Sequence, residues 1–156
     1  MHKSQLDILQ KLLEHPLPGW EAQKKLTPVN SRQYRHKKEG SKQAAVLALL
    51  YPNEQDILEV VYIKRPSHNP HDRHGGQVSF PGGQLEATDN HFKDTALRET
   101  MEEIGVHRDH VQIIGALSPL YVFVSDFYVQ PYVGLTSNKP QFVLQESEVD
   151  YVITES

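Results

Sequence analysis

The chain has no cysteine. That excludes a disulfide framework and a thiolate zinc site. A reducing cytoplasm suits such a chain, and we expect a cytoplasmic location. It also lacks any apolar run near the ~18 residues that cross a bilayer. Its first fifteen residues, MHKSQLDILQKLLEH, carry acids. They have neither the uninterrupted apolar centre nor the small-residue cleavage site of a signal peptide. No membrane partner is expected. An excess of positive charge is missing too, since the formal net charge is −4. That argues against a general nucleic-acid binder, and no nucleic-acid partner is expected. An anionic substrate would then need local positive charge or a metal. No internal repeat, low-complexity tract or domain linker is visible. What is present is 156 residues, 38% hydrophobic and 23% charged, which suits one folded domain with a real core.

Taken in order, residues 4–14 read as a helix with Ser4 as N-cap and Leu6, Leu9, Leu12 and Leu13 as its apolar stripe. His15-Pro16-Leu17-Pro18-Gly19 ends it. Residues 20–42 are polar and irregular, and the basic run Arg32, Arg35, His36, Lys37, Lys38 reads as a solvated loop. AAVLALLYP (44–52) and ILEVVYIKR (57–65) read as paired strands joined at Asn53–Asp56. Pro66–Gly75 is a loop rich in histidine and proline, and Gln77–Phe80 pairs briefly before Pro81-Gly82-Gly83 turns. From His91 to Ile104 the pattern is helical, with Leu97, Met101 and Ile104 as the buried face. Glu99, Glu102 and Glu103 then fall on the opposite front, where small Thr95 and Ala96 would leave room for a ligand. Gly105 is a natural residue to follow the helix. Residues 111–122 and 127–135 read as two more strands, with Pro131 marking a bulge or an edge. Residues 142–144 read as a short strand. We take 1–156 as one domain, with an N-terminal helix and extended segment (1–42), a core (43–136) and a tail (137–156). Helix, strands, helix, strands indicates an α+β fold with a mixed sheet.

The chemistry concentrates in residues 74–106. Carboxylates are hard oxygen ligands suited to magnesium or manganese. Glu99 and Glu103 stand one helical turn apart, so two or three acids can face one ion. Like charges at that spacing oppose an isolated helix, and the dipole at its C-terminal end opposes anions by roughly 0.3–1 kcal/mol. Stability alone does not favour acids at these positions. A solvated acidic face is the ordinary alternative for an E-x-x-E-E cluster. The glycines before it and the glycine stop after it favour a metal-phosphate site instead. Arg98 can lean on Glu102.

This stretch resembles the signature of the Nudix hydrolases, G-x5-E-x7-R-E-u-x-E-E-x-G-u, where u is a bulky apolar residue. Gly83 matches the first glycine; Arg98-Glu99, Glu102-Glu103, Gly105 and Val106 match the second half. Thr100 departs at the first u position. Asp89 stands where glutamate is usual, and the interval to Arg98 is one residue longer. That pair of changes resembles the coenzyme A pyrophosphatase-like branch. The branch carries an element L-L-T-x-R-[SA]-x3-R-x3-G-x3-F-P-G-G. Gly76 to Gly83 fit its second half, and Val61 to Arg65 fit its first half loosely. Pro66 departs from the small residue expected there, and Arg73 sits one place nearer Gly76. PLPGWEAQKKLTPVNSR (16–32) also resembles the N-terminal region of this branch.

The resemblance implies a Nudix α/β/α sandwich with a mixed β-sheet and a metal-dependent hydrolase of nucleoside diphosphate derivatives. It implies Mg2+ or Mn2+ held by Glu99 and Glu103, with Glu102 as third ligand or base and Arg98 orienting them. Gly82 and Gly83 would allow close backbone approach to substrate. Asp89, or Glu86 in competition with it, would supply the loop acid. Glu146 and Glu148 are candidates for a downstream general base. Lys64, Arg65, His68, His71, Arg73 and His74 form a basic cluster that could hold the 3′-phosphate and diphosphate of coenzyme A. A zinc site on the three histidines loses its geometric basis, because Pro70 and Gly75 oppose a helix there.

The expected activity is hydrolysis of coenzyme A or its thioesters to 3′,5′-ADP and a 4′-phosphopantetheine product. The rivals are the same chemistry on ADP-ribose or a dinucleotide, and a non-catalytic nucleotide-binding domain. The family continues past the equivalent of Leu135 through a strand and a closing helix, and residues 136–156 show no convincing helix. We therefore expect a truncated chain, or a partner subunit that covers the sheet as in a homodimer.

Overall fold

The computed structural model describes residues 2–34, 36–67 and 75–156. Helix α1 spans His2–Leu13, so Ser4 lies inside it instead of capping it. A short α2 (Trp20–Gln23) and a 3-10 turn (Val29–Tyr34) follow in the segment expected to be irregular. Strands β1 (Lys42–Pro52) and β2 (Leu58–Lys64) pair antiparallel, with Leu49 opposite Val61. Asn53 turns the corner: its side-chain oxygen accepts from the N–H of Gln55 and of Ile57. That is the local bonding by which asparagine favours turns.

β3 (Val78–Ser79) and β4 (Gly82–Gln84) are short and pair with β2 and β1 respectively. Helix α3 (Phe92–Ile104) follows. The expected 111–122 strand is broken into β5 (Gln112–Ala116) and β6 (Leu120–Val122). Both pair antiparallel with β7 (Phe127–Leu135), and Leu117-Ser118-Pro119 passes between them. Pro131 sits at this handover, with no registered partner in β5 or β6 between Val129 (opposite Leu120) and Tyr132 (opposite Ala116). Its missing N–H costs no ladder bond there, so an interior strand tolerates it. β7 runs parallel to β1 along nine register pairs, from Lys42–Phe127 to Leu50–Leu135.

The C-terminal segment differs from the expected tail. Residues 142–144 form no strand. Instead the N–H groups of Val143 and Gln145 donate to the carbonyls of Ile104 and Glu103, at 3.0 Å each. Those carbonyls are orphaned by the end of α3, and this strip of chain satisfies them. Strand β8 (Tyr151–Glu155) then pairs antiparallel with β2. The result is a mixed sheet with α3 packed on β1, β4 and β7, and α1 lying on β5. Among the described residues no helix is long and apolar enough to cross a membrane.

β1 is the centre. Its odd-numbered residues Ala45, Leu47, Leu49 and Tyr51 are fully buried and meet Ala96, Leu97 and Ile104 of α3 in one cluster. A buried leucine of this kind stabilises the fold by about 1.5–3 kcal/mol. On the other face, Ala44 and Val46 line a cleft together with Phe127 and Val129 of β7.

Candidate functional site

α3 is rotated from the expected orientation. Its buried residues are Thr95, Ala96, Leu97, Thr100, Glu103 and Ile104, whereas Met101 is 43% exposed. At ~100° per residue, Ala96, Thr100, Glu103, Ile104 and Leu97 share one arc, and Met101 lies ~40° beyond it. An apolar count misses this, because polar residues occupy two places in the arc. Thr100 is satisfied locally: its hydroxyl donates to the Ala96 carbonyl at 2.7 Å. The departure from a bulky apolar residue there leaves no buried polar atom unpaired. Thr95 and Ala96 are buried and leave no space for a ligand. The three glutamates therefore differ: Glu103 is buried, Glu99 half-buried and Glu102 exposed.

Glu103 is only 1% exposed, and both of its oxygens are occupied. The Gly82 N–H donates to Oε2 at 2.9 Å, and Arg65 Nη1 lies 3.3 Å from Oε1. Burial pushes its carboxyl up to about 8, even though the Gly82 bond pulls the other way. Desolvation outweighs the Arg65 pair as well. Glu99 is also raised by burial, against the opposing charge of Arg98.

Glycine is required where the β4 turn meets these acids. A Cβ on Gly82, whose φ is +150°, would fall 2.3 Å from the Ala45 carbonyl oxygen. A Cβ on Gly83 would fall 2.4 Å from Glu99 Oε1. The close approach expected of these glycines is thus made to β1 and to the α3 carboxylates. It aims the Gly82 N–H at Glu103 and gives Glu99 its place.

Arg98 braces the same end of the site. Its Nη1 donates to Glu99 Oε1 and Glu102 Oε2, at 2.9 Å each. Nε and Nη2 donate to the two oxygens of Asp89 at 3.1 and 3.0 Å, a side-on fork. Nη2 also reaches the Gln84 carbonyl at 3.1 Å. Asp89 accepts further from the Thr95 hydroxyl at 2.9 Å and the Glu86 N–H at 3.0 Å. Those Arg98 bonds hold the Asp89 carboxyl down at about 2. Glu86, the competitor for the loop-acid position, is mostly exposed and stands 4.0 Å from Arg98. Asp89 is the acid built into the loop.

Of the two downstream candidates, the fold brings in Glu148. Oxygens of Glu99, Glu103 and Glu148 converge to within 4.8 Å of one another. The neighbouring Val149 is buried in the core, and the Asp150 N–H donates to the Lys64 carbonyl at 2.9 Å, which pins Glu148 beside α3. Glu146 is exposed and outside this cluster, and Glu102 is held away from it by Arg98. The sequence left Glu146 and Glu148 as equal candidates; the burial of Val149 beside Glu148 separates them in the fold.

The basic cluster is described only in part. Lys64 donates through Nζ to the Gly76 carbonyl, and Arg65 faces Glu103. His68, His71, Arg73 and His74 lie outside the described residues. Arg65, Gly82 and Gly83 also line the cleft named above, about 320 Å³ in volume, with Gln77, Phe80 and Val122 on its walls. Three converging carboxylates, one of them buried, form a hard oxygen donor set that fits a divalent cation of the magnesium or manganese type.

The NUDIX domain family model matches residues 41–154. A protein of Pectobacterium atrosepticum named "Uncharacterized Nudix hydrolase NudL" is 46% identical over 77 residues, which are 49% of this chain and 40% of that one. Its namesake from Enterobacter sp. strain 638 is 41% identical over 108 residues, 69% of this chain and 54% of that one. The chain thus spans about half the length of these curated relatives. Among solved structures, the Nudix hydrolase RenU of M. smegmatis superposes with a TM-score of 0.60 at 15% identity, covering 77% of this chain and 76% of that one. The Nudix domain of Shewanella oneidensis NrtR, solved with ADP-ribose, gives 0.58 at 17% identity and 82% coverage of both. At such identities the likeness is one of fold. With the family model covering all of β1 to β7 and the whole carboxylate helix, the chain belongs to the Nudix family.

Proposed function

We propose that this domain is a divalent-metal-dependent pyrophosphohydrolase whose substrate is coenzyme A or one of its thioesters. Water would add across the diphosphate, releasing 3′,5′-ADP and 4′-phosphopantetheine or its acyl form. The observation that carries this reading is the convergence of Glu99, Glu103 and Glu148 beside a cleft walled by Gly82, Gly83 and Arg65. Mg2+ or Mn2+ bound there would neutralise phosphate oxygens and acidify an attacking water. Glu103 offers a buried carboxylate oriented by the Gly82 N–H. Glu99 is set by Arg98, which is itself fixed by Asp89. Glu148 is the most accessible acid of the three and the one best placed to take a proton from water. The choice of coenzyme A rests on the Gly76–Gly83 sequence, the Asp89 substitution and the longer interval to Arg98. The NudL name carried by the relatives agrees with a Nudix hydrolase.

A substrate panel tests the proposal. Coenzyme A, acetyl-coenzyme A, ADP-ribose and a dinucleoside polyphosphate are incubated with Mg2+ or Mn2+, and products are resolved by chromatography. Coenzyme A species should have the highest kcat/KM and yield 3′,5′-ADP. Preference for ADP-ribose would overturn the substrate assignment. Binding of nucleotides without turnover of any substrate would favour a sensor instead.

A further inference from the structure

We infer that Arg65 is an internal stand-in for the metal: it occupies one oxygen of Glu103 in the ion-free fold and is displaced into the cleft when a divalent cation binds. The inference rests on the metal site proposed above, and it adds an order of events. Glu103 is enclosed, and its two oxygens already have partners, the Gly82 N–H and the Arg65 guanidinium. A cation joining Glu99, Glu103 and Glu148 must share Glu103 with that guanidinium. Two positive groups cannot both sit against one buried carboxylate at full strength. The Gly82 N–H is fixed by the β4–β1 ladder, where Gly82 opposes Val46. Arg65 is the partner able to leave, because it follows β2 on a long side chain that is 26% exposed.

The adjoining cleft is its destination. Arg65 lines the cleft with Gln77, Ser79, Phe80 and the two glycines. A short swing along this wall would exchange a carboxylate for an anionic ligand, such as a diphosphate, without leaving the site. The same guanidinium therefore opposes the cation and attracts the diphosphate. Ion binding would ready the cleft for substrate, and by reciprocity a captured diphosphate would raise affinity for the ion.

The test begins without substrate. Mn2+ is titrated into the wild-type protein and Arg65→Gln, by calorimetry or by electron paramagnetic resonance of the free ion. Arg65→Gln should bind Mn2+ about tenfold more tightly, while its KM for the best substrate rises by a similar factor. Opposite signs are the signature, since a merely loosened site would weaken both. Arg65→Lys keeps the charge and should stay within about twofold of wild type for Mn2+. A second measurement uses the wild-type chain alone: the Arg65 side-chain resonance should shift on adding Mg2+ with no nucleotide present. Unchanged or weaker Mn2+ binding by Arg65→Gln would overturn the inference, as would an unmoved Arg65 resonance. Absence of Mn2+ binding by the wild-type protein would remove the metal site and this inference together. Failure of coenzyme A as substrate, with the Mn2+ result as expected, would leave the inference standing.

Discussion

Glu103→Gln should make the metal-free protein more stable while removing its activity. Glu103 is 1% exposed, and burial raises its carboxyl from 4.5 to about 8. An acid whose folded pKa is raised contributes its full stability below 4.5 and loses it as pH climbs toward 8. At pH 7 the loss is about 3 kcal/mol. Glutamine is neutral at every pH, so it removes this term. Its amide oxygen can still accept from the Gly82 N–H, but the attraction between carboxylate and Arg65 is gone. Allowing for that, the net gain at pH 7.5 is about 1–2 kcal/mol, or about 3–6 °C in Tm for a chain of this size. Thermal unfolding is followed in EDTA at pH 5, 6, 7 and 8, and the difference between the two proteins is plotted so that common titrations cancel. The difference should be near zero at pH 5 and grow in favour of Glu103→Gln up to pH 8. Mn2+ should then stabilise the wild type and not the variant, and the variant should show no turnover. A Glu103→Gln protein that is less stable than wild type at pH 8 without metal would refute the reasoning.

Gly83→Ala should fold, because the atoms its Cβ meets are the end of the Glu99 side chain, yet the displaced carboxylate should cost about a hundredfold in kcat/KM. Gly82→Ala meets the backbone of β1 instead and should express poorly or melt several degrees lower; equal thermal stability of the two variants would contradict this contrast. Glu148→Gln should lower kcat by about a hundredfold or more, whereas Glu146→Gln should stay within about twofold of wild type, and steady-state kinetics of the pair decides between them. Asp89→Asn should lose about 2 kcal/mol at pH 7, with a loss that shrinks below pH 4. The Asp89 carboxyl titrates at about 2 in the fold and 3.8 outside it, so its contribution is present above 3.8 and fades as pH falls through 2. A pH-independent loss in chemical denaturation would argue against the Arg98 fork as its source.

The strands and the long helix were legible because their signals are local. β1, β2 and α3 lie within about two residues of the expected bounds, and β7 coincides with its expected span. The turn at Asn53 and the stop at Gly105 (φ +74°) were legible for the same reason. Burial of polar groups was not, because it depends on partners distant in sequence. Nothing near Glu103 announces that the Gly82 amide and Arg65 will meet it, so a period count placed Met101 inside and Glu103 outside. The break between β5 and β6 follows from sharing β7, and the strip at 142–145 follows from the free carbonyls of α3. Both need the assembled sheet. Glu148 could be separated from Glu146 only once Val149 had found the core.

The parallel pairing of β1 with β7 bears on how this molecule can be cut. Lys42 and its partner Phe127 are far apart in the chain, and all of α3 lies between them. A fragment ending before Phe127 would keep Arg98 and the glutamates of the helix. It would also leave the most apolar strand of the protein with one side unpaired along its whole length. Open edges of that kind recruit other chains. Such a fragment would be expected to precipitate, or to appear in a proteolysis experiment only as aggregate. During synthesis the same edge stays open until β7 has emerged, so the carboxylate helix is made before the sheet that gives it a function can close.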